Sequence, residues 1–238
     1  MRIGITLPTF SPDAGAVIAA ARAAETRGLH GVFVFDHLWP MGDPSRPAMS
    51  VHPTVAAVLA STEHIAVGTL VSRIGLLPDE VVMAALLGLH NIAGDRFIAG
   101  IGTGDKASAD ENERLGLPYQ GAAARRDRLG RVARALRDAG VQTWVGGGAP
   151  ATNDMARATG ATLNLWGASP ETVRAEVGRG GDVSWAGPLP KDRGNATTKL
   201  GHIAAAGASW AVWGWPDSLD AVVEVATAAG IGLGPASK

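Results

Sequence analysis

The sequence contains no cysteine and only one tyrosine, and its 238 residues carry a formal net charge of −1. Without thiols there can be no disulfide, no thiol nucleophile and no cysteine-ligated zinc or iron–sulfur site, and the usage fits a reducing compartment. No block of basic residues occurs, so neither nucleic acid nor an anionic membrane is an expected partner. Long hydrophobic runs are also missing: stretches such as "VVMAALLGL" are too short to cross a bilayer. The opening "MRIGITLPTF" reads as strand plus turn, not as a signal peptide. The expected location is cytoplasmic.

What is there is an alternation. Short apolar segments such as "IGITL" (3–7), "GVFVFDH" (31–37), "IAVGTLVS" (65–72) and "RFIAGIGTG" (96–104) alternate with longer helical stretches rich in alanine and arginine. Helices are expected over 14–28, 53–64, 79–94 and 121–139, with a polar stretch before the last. The second half repeats the unit with strands at 141–148, 161–167, 182–187 and 208–214 and helices near 151–159, 169–179, 195–206 and 217–230. Ser169, Pro170 and Glu171 mark one helix start. Strands that lack clean apolar/polar alternation, each followed by a crossover helix, imply a parallel sheet covered on both faces. Eight such units predict an α/β fold of one domain over residues 1–238, a short (β/α)₈ barrel with few insertions. The alternative, an open doubly wound sheet, calls for a Gly-rich phosphate turn after the first strand, and "LPTFSPD" is not one.

In a barrel of this kind chemistry gathers at the C-terminal ends of the strands. Asp36, His37 and Asp105 fall there, together with Trp39, Trp166, Trp185, Trp213 and Trp215. Aromatic walls around a few polar groups describe a site for a flat, partly apolar ligand. In "DHLWP", Asp36 can simply cap a turn while His37 bonds locally; the rim position raises the alternative that His37 transfers protons near neutral pH. "GIGTGD" (100–105) is neither a dinucleotide fingerprint nor a P-loop. Its glycines either let a strand pack closely or let a ring or phosphate approach the backbone at Gly102, Thr103 and Gly104. In "GGGAPATND", Gly146, Gly147 and Gly148 precede a helix N-terminus and can offer free amides to an anion, or form a plain turn. His52, His64, His90 and His202 show no metal-ligand spacing, and no metal is expected; no serine has a nucleophile-elbow context.

Taken in order, "IGITLP", "AAETRGLHGVFVFDHLWP", "ASTEHIAVGTLVS", "GDRFIAGIGTGD", "RLGLPYQGAAARRDRL" and "WVGGGAP" resemble the bacterial luciferase-like monooxygenase superfamily, especially its members that use the deazaflavin coenzyme F420. The resemblance is clearest from residue 2 to about residue 166. It implies a (β/α)₈ barrel with a flavin or deazaflavin ring at the C-terminal mouth. It also implies that Asp36 hydrogen-bonds the ring, that His37 is the acid–base group and that Trp39 walls the substrate. Asp105 takes the position where deazaflavin enzymes often have a glutamate, one methylene longer, which makes it a candidate catalytic acid beside the ring. Leu70 and Val71 match a bulge where relatives have a cis non-prolyl peptide supporting the ring, and Gly102 to Gly104 and Gly146 to Gly148 match the segments that hold the cofactor's ribityl and phosphate parts. The chain departs from relatives at His90, commonly acidic there, and it lacks most substrate-covering insertions. "DH" and "GTGD" look more like the deazaflavin branch than the FMN branch, so coenzyme F420 is the expected cofactor and FMN the alternative. The implied activity is hydride transfer between F420 and an alcohol, carbonyl or activated double bond. The alternatives are an FMN-dependent monooxygenase or reductase and a non-catalytic flavin-binding protein. The expected partners are a small-molecule substrate and, by analogy with relatives, a second copy in a homodimer.

Overall fold

The computed structural model describes residues 1–40, 43–104 and 108–234. Strands β1 (Arg2–Thr6), β2 (Gly31–Val34), β3 (Ala66–Thr69), β4 (Ser72–Arg73), β5 (Phe97–Gly102), β6 (Gln142–Gly146), β7 (Thr162–Trp166), β8 (Val183–Gly187) and β9 (Trp210–Trp213) form one sheet. Every pairing is parallel, and β1 pairs with both β2 and β9, which closes the sheet into a cylinder. β3 and β4 both pair with β5 and occupy one strand position. They are separated at Leu70–Val71, where the peptide bond is cis. The result is the expected eight-position (β/α)₈ barrel.

Helices α1 (Ala14–Thr26), α2 (Val51–Ser61), α3 (Asp79–Ala93), α4 (Ser108–Arg114), α5 (Ala122–Asp138), α6 (Pro150–Ala158), α7 (Pro170–Gly178), α8 (Arg193–Ala205) and α9 (Leu219–Ala228) follow the strands. Their starts obey local chemistry. Asp13 and Asp192 accept the amides of Ala16 and Asn195, and Ser169 accepts that of Thr172, each satisfying a donor the first turn leaves free. α1 buries Val17, Ala20, Ala21 and Ala24, one stripe at helical spacing, against the outside of the barrel. Two expectations are corrected. α2 begins at Val51, ahead of residue 53, because a proline in a first turn costs no intrahelical hydrogen bond. Among the described residues α4 is a ninth α-helix, inside the stretch read as merely polar.

A second, smaller core fills the cylinder itself. Phe33 of β2 stacks on Trp144 of β6 at 5.0 Å and meets Trp210 of β9 edge-on at 5.8 Å. These strands are not neighbours, so the rings touch across the lumen. Leu70, Ile98, Ala186 and Val212 complete this plug. Glycine makes room for it: a Cβ on Gly68 would lie 2.8 Å from the Phe33 ring, and one on Gly31 2.8 Å from the Trp210 ring. With one end of the lumen packed solid, an opening is left at the C-terminal ends of the strands.

Candidate active site

That opening is a cavity of about 580 Å³, within the range of small-molecule sites. Asp36, His37, Leu70, Val71, Gly102, Thr103, Gly104, Gly146 and Gly147 all line it. The sequence therefore places nine candidate residues from four strand ends around one space. Asp105 lies outside the described residues.

β2 delivers Phe35, Asp36 and His37 to the rim. The Asp36 carboxylate accepts the backbone N–H of Arg73 at 2.8 Å, tying the end of β2 to β4. Burial pushes its pKa up, against the opposing pull of that hydrogen bond and of the charges on Arg73, His52 and His37. Behind it, His52 Nε2 lies 3.0 Å from Ser72 Oγ. Burial pushes the His52 pKa down, and the nearby Asp36 acts in the other direction.

His37 is held by a residue that the sequence did not single out. Its Nδ1 lies 3.0 Å from Oε1 of Glu111 in α4. Oε2 of the same carboxylate accepts the Leu38 N–H at 3.2 Å and a charge-assisted bond from Arg73 Nη2. Glu111 and Arg73 are 3% and 4% exposed, so this ion pair is closed to water. Burial opposes the charge on Glu111, but the hydrogen bonds from His37 and Leu38 and the Arg73 charge outweigh it and hold the carboxyl below its ordinary value. An ionised carboxylate can only accept, so the proton between the two groups sits on Nδ1. Nε2, the other nitrogen of a ring that lines the cavity, is left free to exchange a proton with a ligand. Two further donors of Arg73, Nε and Nη1, are buried without a partner.

Other expectations need correction. Trp39 is not among the residues that line the cavity; the Arg114 guanidinium lies 5.0 Å above its ring. Trp185 and Trp213 are fully buried, packed edge to face at 5.0 Å in the outer core. The aromatic wall is made instead by Trp166 and Trp215, with Phe10 and Phe35. Gly148 is outside the lining, and the amides of Gly147 and Gly148 are not free. The first donates to Asn164 O and the second to Asn153 Oδ1, each at 2.9 Å. Among the described residues no group of three His, Cys, Asp or Glu side chains could hold a metal.

The cavity does suit a flat organic ring. On one side Leu70 and Val71 present apolar surface, and Gly102 and Gly146 beside them add no side chain. A Cβ on either glycine would press on Val71, at 2.5 and 3.3 Å respectively, so the wall is smooth by construction. Titratable groups thus stand at the edge of a flat apolar slot. Residues 1–139 match the model of the luciferase-like monooxygenase family, and the chain belongs to that family.

Solved structures agree on the fold. An F420-dependent secondary alcohol dehydrogenase in complex with an F420–acetone adduct superposes with a TM-score of 0.79 at 14% identity, covering 96% of this chain and 98% of the other. The coenzyme F420-dependent tetrahydromethanopterin reductase from Methanopyrus kandleri gives a TM-score of 0.74 at 13% identity, covering 94% of this chain and 96% of the other.

 A riboflavin lyase with modified FMN and riboflavin gives 0.60 at 14% identity, covering 87% of this chain and 66% of that one. No curated protein sequence matches the chain significantly. No helix among the described residues is long and apolar enough to cross a membrane.

Proposed function

We propose that the chain is a luciferase-like oxidoreductase that transfers hydride between coenzyme F420 and a small alcohol, carbonyl or activated double bond. The observation that carries this reading is the Arg73–Glu111–His37 chain, which leaves one histidine nitrogen free at the edge of a slot shaped for a ring. Similarity in fold to F420-dependent enzymes supports it.

When bound, the deazaflavin supplies a carbon centre that carries hydride and reacts poorly with oxygen. Leu70, Val71, Gly102 to Gly104, Gly146 and Gly147 would hold the ring and its ribityl chain, with Asp36 at the ring edge. Gly148 contributes only through the turn, since its amide is engaged. His37 Nε2 takes the hydroxyl proton of an alcohol or returns one to a reduced product. Glu111 keeps the imidazole in the tautomer with Nδ1 protonated and stabilises the charge that appears on it. FMN is the alternative occupant, supported by the similarity to the riboflavin lyase.

Replacing His37 with Ala tests the assignment. Turnover with the preferred cofactor should fall about 10²–10⁴-fold, while cofactor affinity measured by titration changes little. A loss under about tenfold means that another group moves the proton.

A further inference from the structure

The rim of the cavity is divided in two. Going round the barrel, the ends of β3 to β6 contribute Leu70, Val71 and glycines, with Arg73, Thr103 and Ser108 among them. The ends of β7, β8, β9, β1 and β2 contribute Trp166, Leu189, Trp215, Phe10 and Phe35. Trp166 and Trp215 stay 51% and 43% exposed, although each is large and apolar. Their neighbours form a continuous surface: Phe10 stacks on Phe35 at 5.9 Å and 9°, and Phe35 meets Trp166 edge-on at 5.7 Å. The His37 ring lies 6.4 Å from Phe10 and 6.3 Å from Phe35, so the free nitrogen is at the border of this surface.

Charge is sparse in the same space. Among the described residues Arg73 is the one Lys or Arg in the lining; it is buried, with Nη2 on Glu111 and with Nε and Nη1 unpartnered. Asp36 is the one acidic lining residue among the described ones, and its own burial opposes its charge. An ionised substrate would lose hydration here, and the one lining cation among the described residues already balances the Glu111 charge.

Resting on the oxidoreductase reading, we propose that the aromatic half of the rim is the substrate surface and that it takes an uncharged alcohol or ketone bearing an aryl group. The reacting oxygen sits toward His37 and the aryl group lies against Phe35, Trp166 and Trp215. Rings of this kind add edge and face contacts to ordinary apolar burial, which a short aliphatic chain cannot match.

Binding to the purified chain, measured by isothermal titration and by ligand-detected NMR, tests this without turnover. Acetophenone should bind at least about tenfold more tightly than acetone or 4-acetylbenzoate. Trp166→Ala and, separately, Trp215→Ala should each weaken acetophenone about fivefold, with F420 and FMN affinities unchanged within about twofold. Both side chains are exposed, so both variants should fold, which circular dichroism checks. Equal affinity for the three ketones, tighter binding of the carboxylate, or indifference to both substitutions overturns the assignment. Acetophenone binding in a protein that binds neither cofactor would sink the oxidoreductase reading and leave the aryl surface standing.

Discussion

Glu111 does for His37 what a solvated carboxylate could not. In water its attraction for an imidazole and a guanidinium would be screened; at 3% exposure it fixes the tautomer and the ring plane together. Glu111→Ala leaves Arg73 buried and unpaired, and should cost about 3–5 kcal/mol in urea or guanidinium unfolding. Glu111→Gln keeps the shape and should lower kcat about 10–100-fold, by the measure of other histidine-orienting partners, with cofactor affinity unchanged.

The two carboxyls of the site have opposite pH signatures. The folded pKa of Glu111 is lowered, so its stabilisation is complete above the ordinary carboxylate value and is lost as pH falls through the lowered one. That of Asp36 is raised, so its contribution is complete below the ordinary value and is lost as pH rises through the raised one. Asp36→Asn keeps an acceptor for the Arg73 amide and should remove the second decline. Denaturant melts at stepped pH would show it; a variant with the same pH dependence as the parent would mean that Asp36 is not the titrating group.

At the scale of elements, the strands were readable as short apolar runs buried on both faces, and most helices because each buries one recognisable stripe. α4 was not. "SADENER" has no apolar stripe, and what it turns inward is Ser108, Glu111 and Asn112, polar residues at i, i+3 and i+4. The burial of Glu111 is set by its tertiary partners Arg73 and His37, which local periodicity cannot express. The same limit explains the tryptophans: position at a strand end was legible, but the direction of the side chain at Trp39, Trp185 and Trp213 was not. The turn after β6 shows how tightly such elements are fitted. A Cβ on Gly147 would lie 2.3 Å from Leu163 Cδ1 and 2.6 Å from Asn153 Oδ1. Gly147→Ala should therefore cost about 1–3 kcal/mol and disturb the Asn153 contact to Gly148, measurable as a lowered urea midpoint with an unchanged slope.

The whole molecule makes one asymmetric cup. A plug of Phe33, Trp144 and Trp210 closes one end of the cylinder, and the other is smooth on the β3–β6 side and aromatic on the β7–β2 side, with His37 at a border between them. Closure into a barrel was legible from the count of alternating units. The gathering of Asp36, His37, Leu70 and Val71 at one mouth followed from it, because strand ends of a closed parallel cylinder have nowhere else to go. The Arg73–Glu111 pair was not legible, since nothing in a single sequence marks which charges are buried. The most direct measurement is an equilibrium titration of the purified chain with F420 and with FMN. Saturable binding of one, with a clear preference for F420 and with stoichiometry of one per chain, is the predicted result. Failure of both to bind would contradict the account.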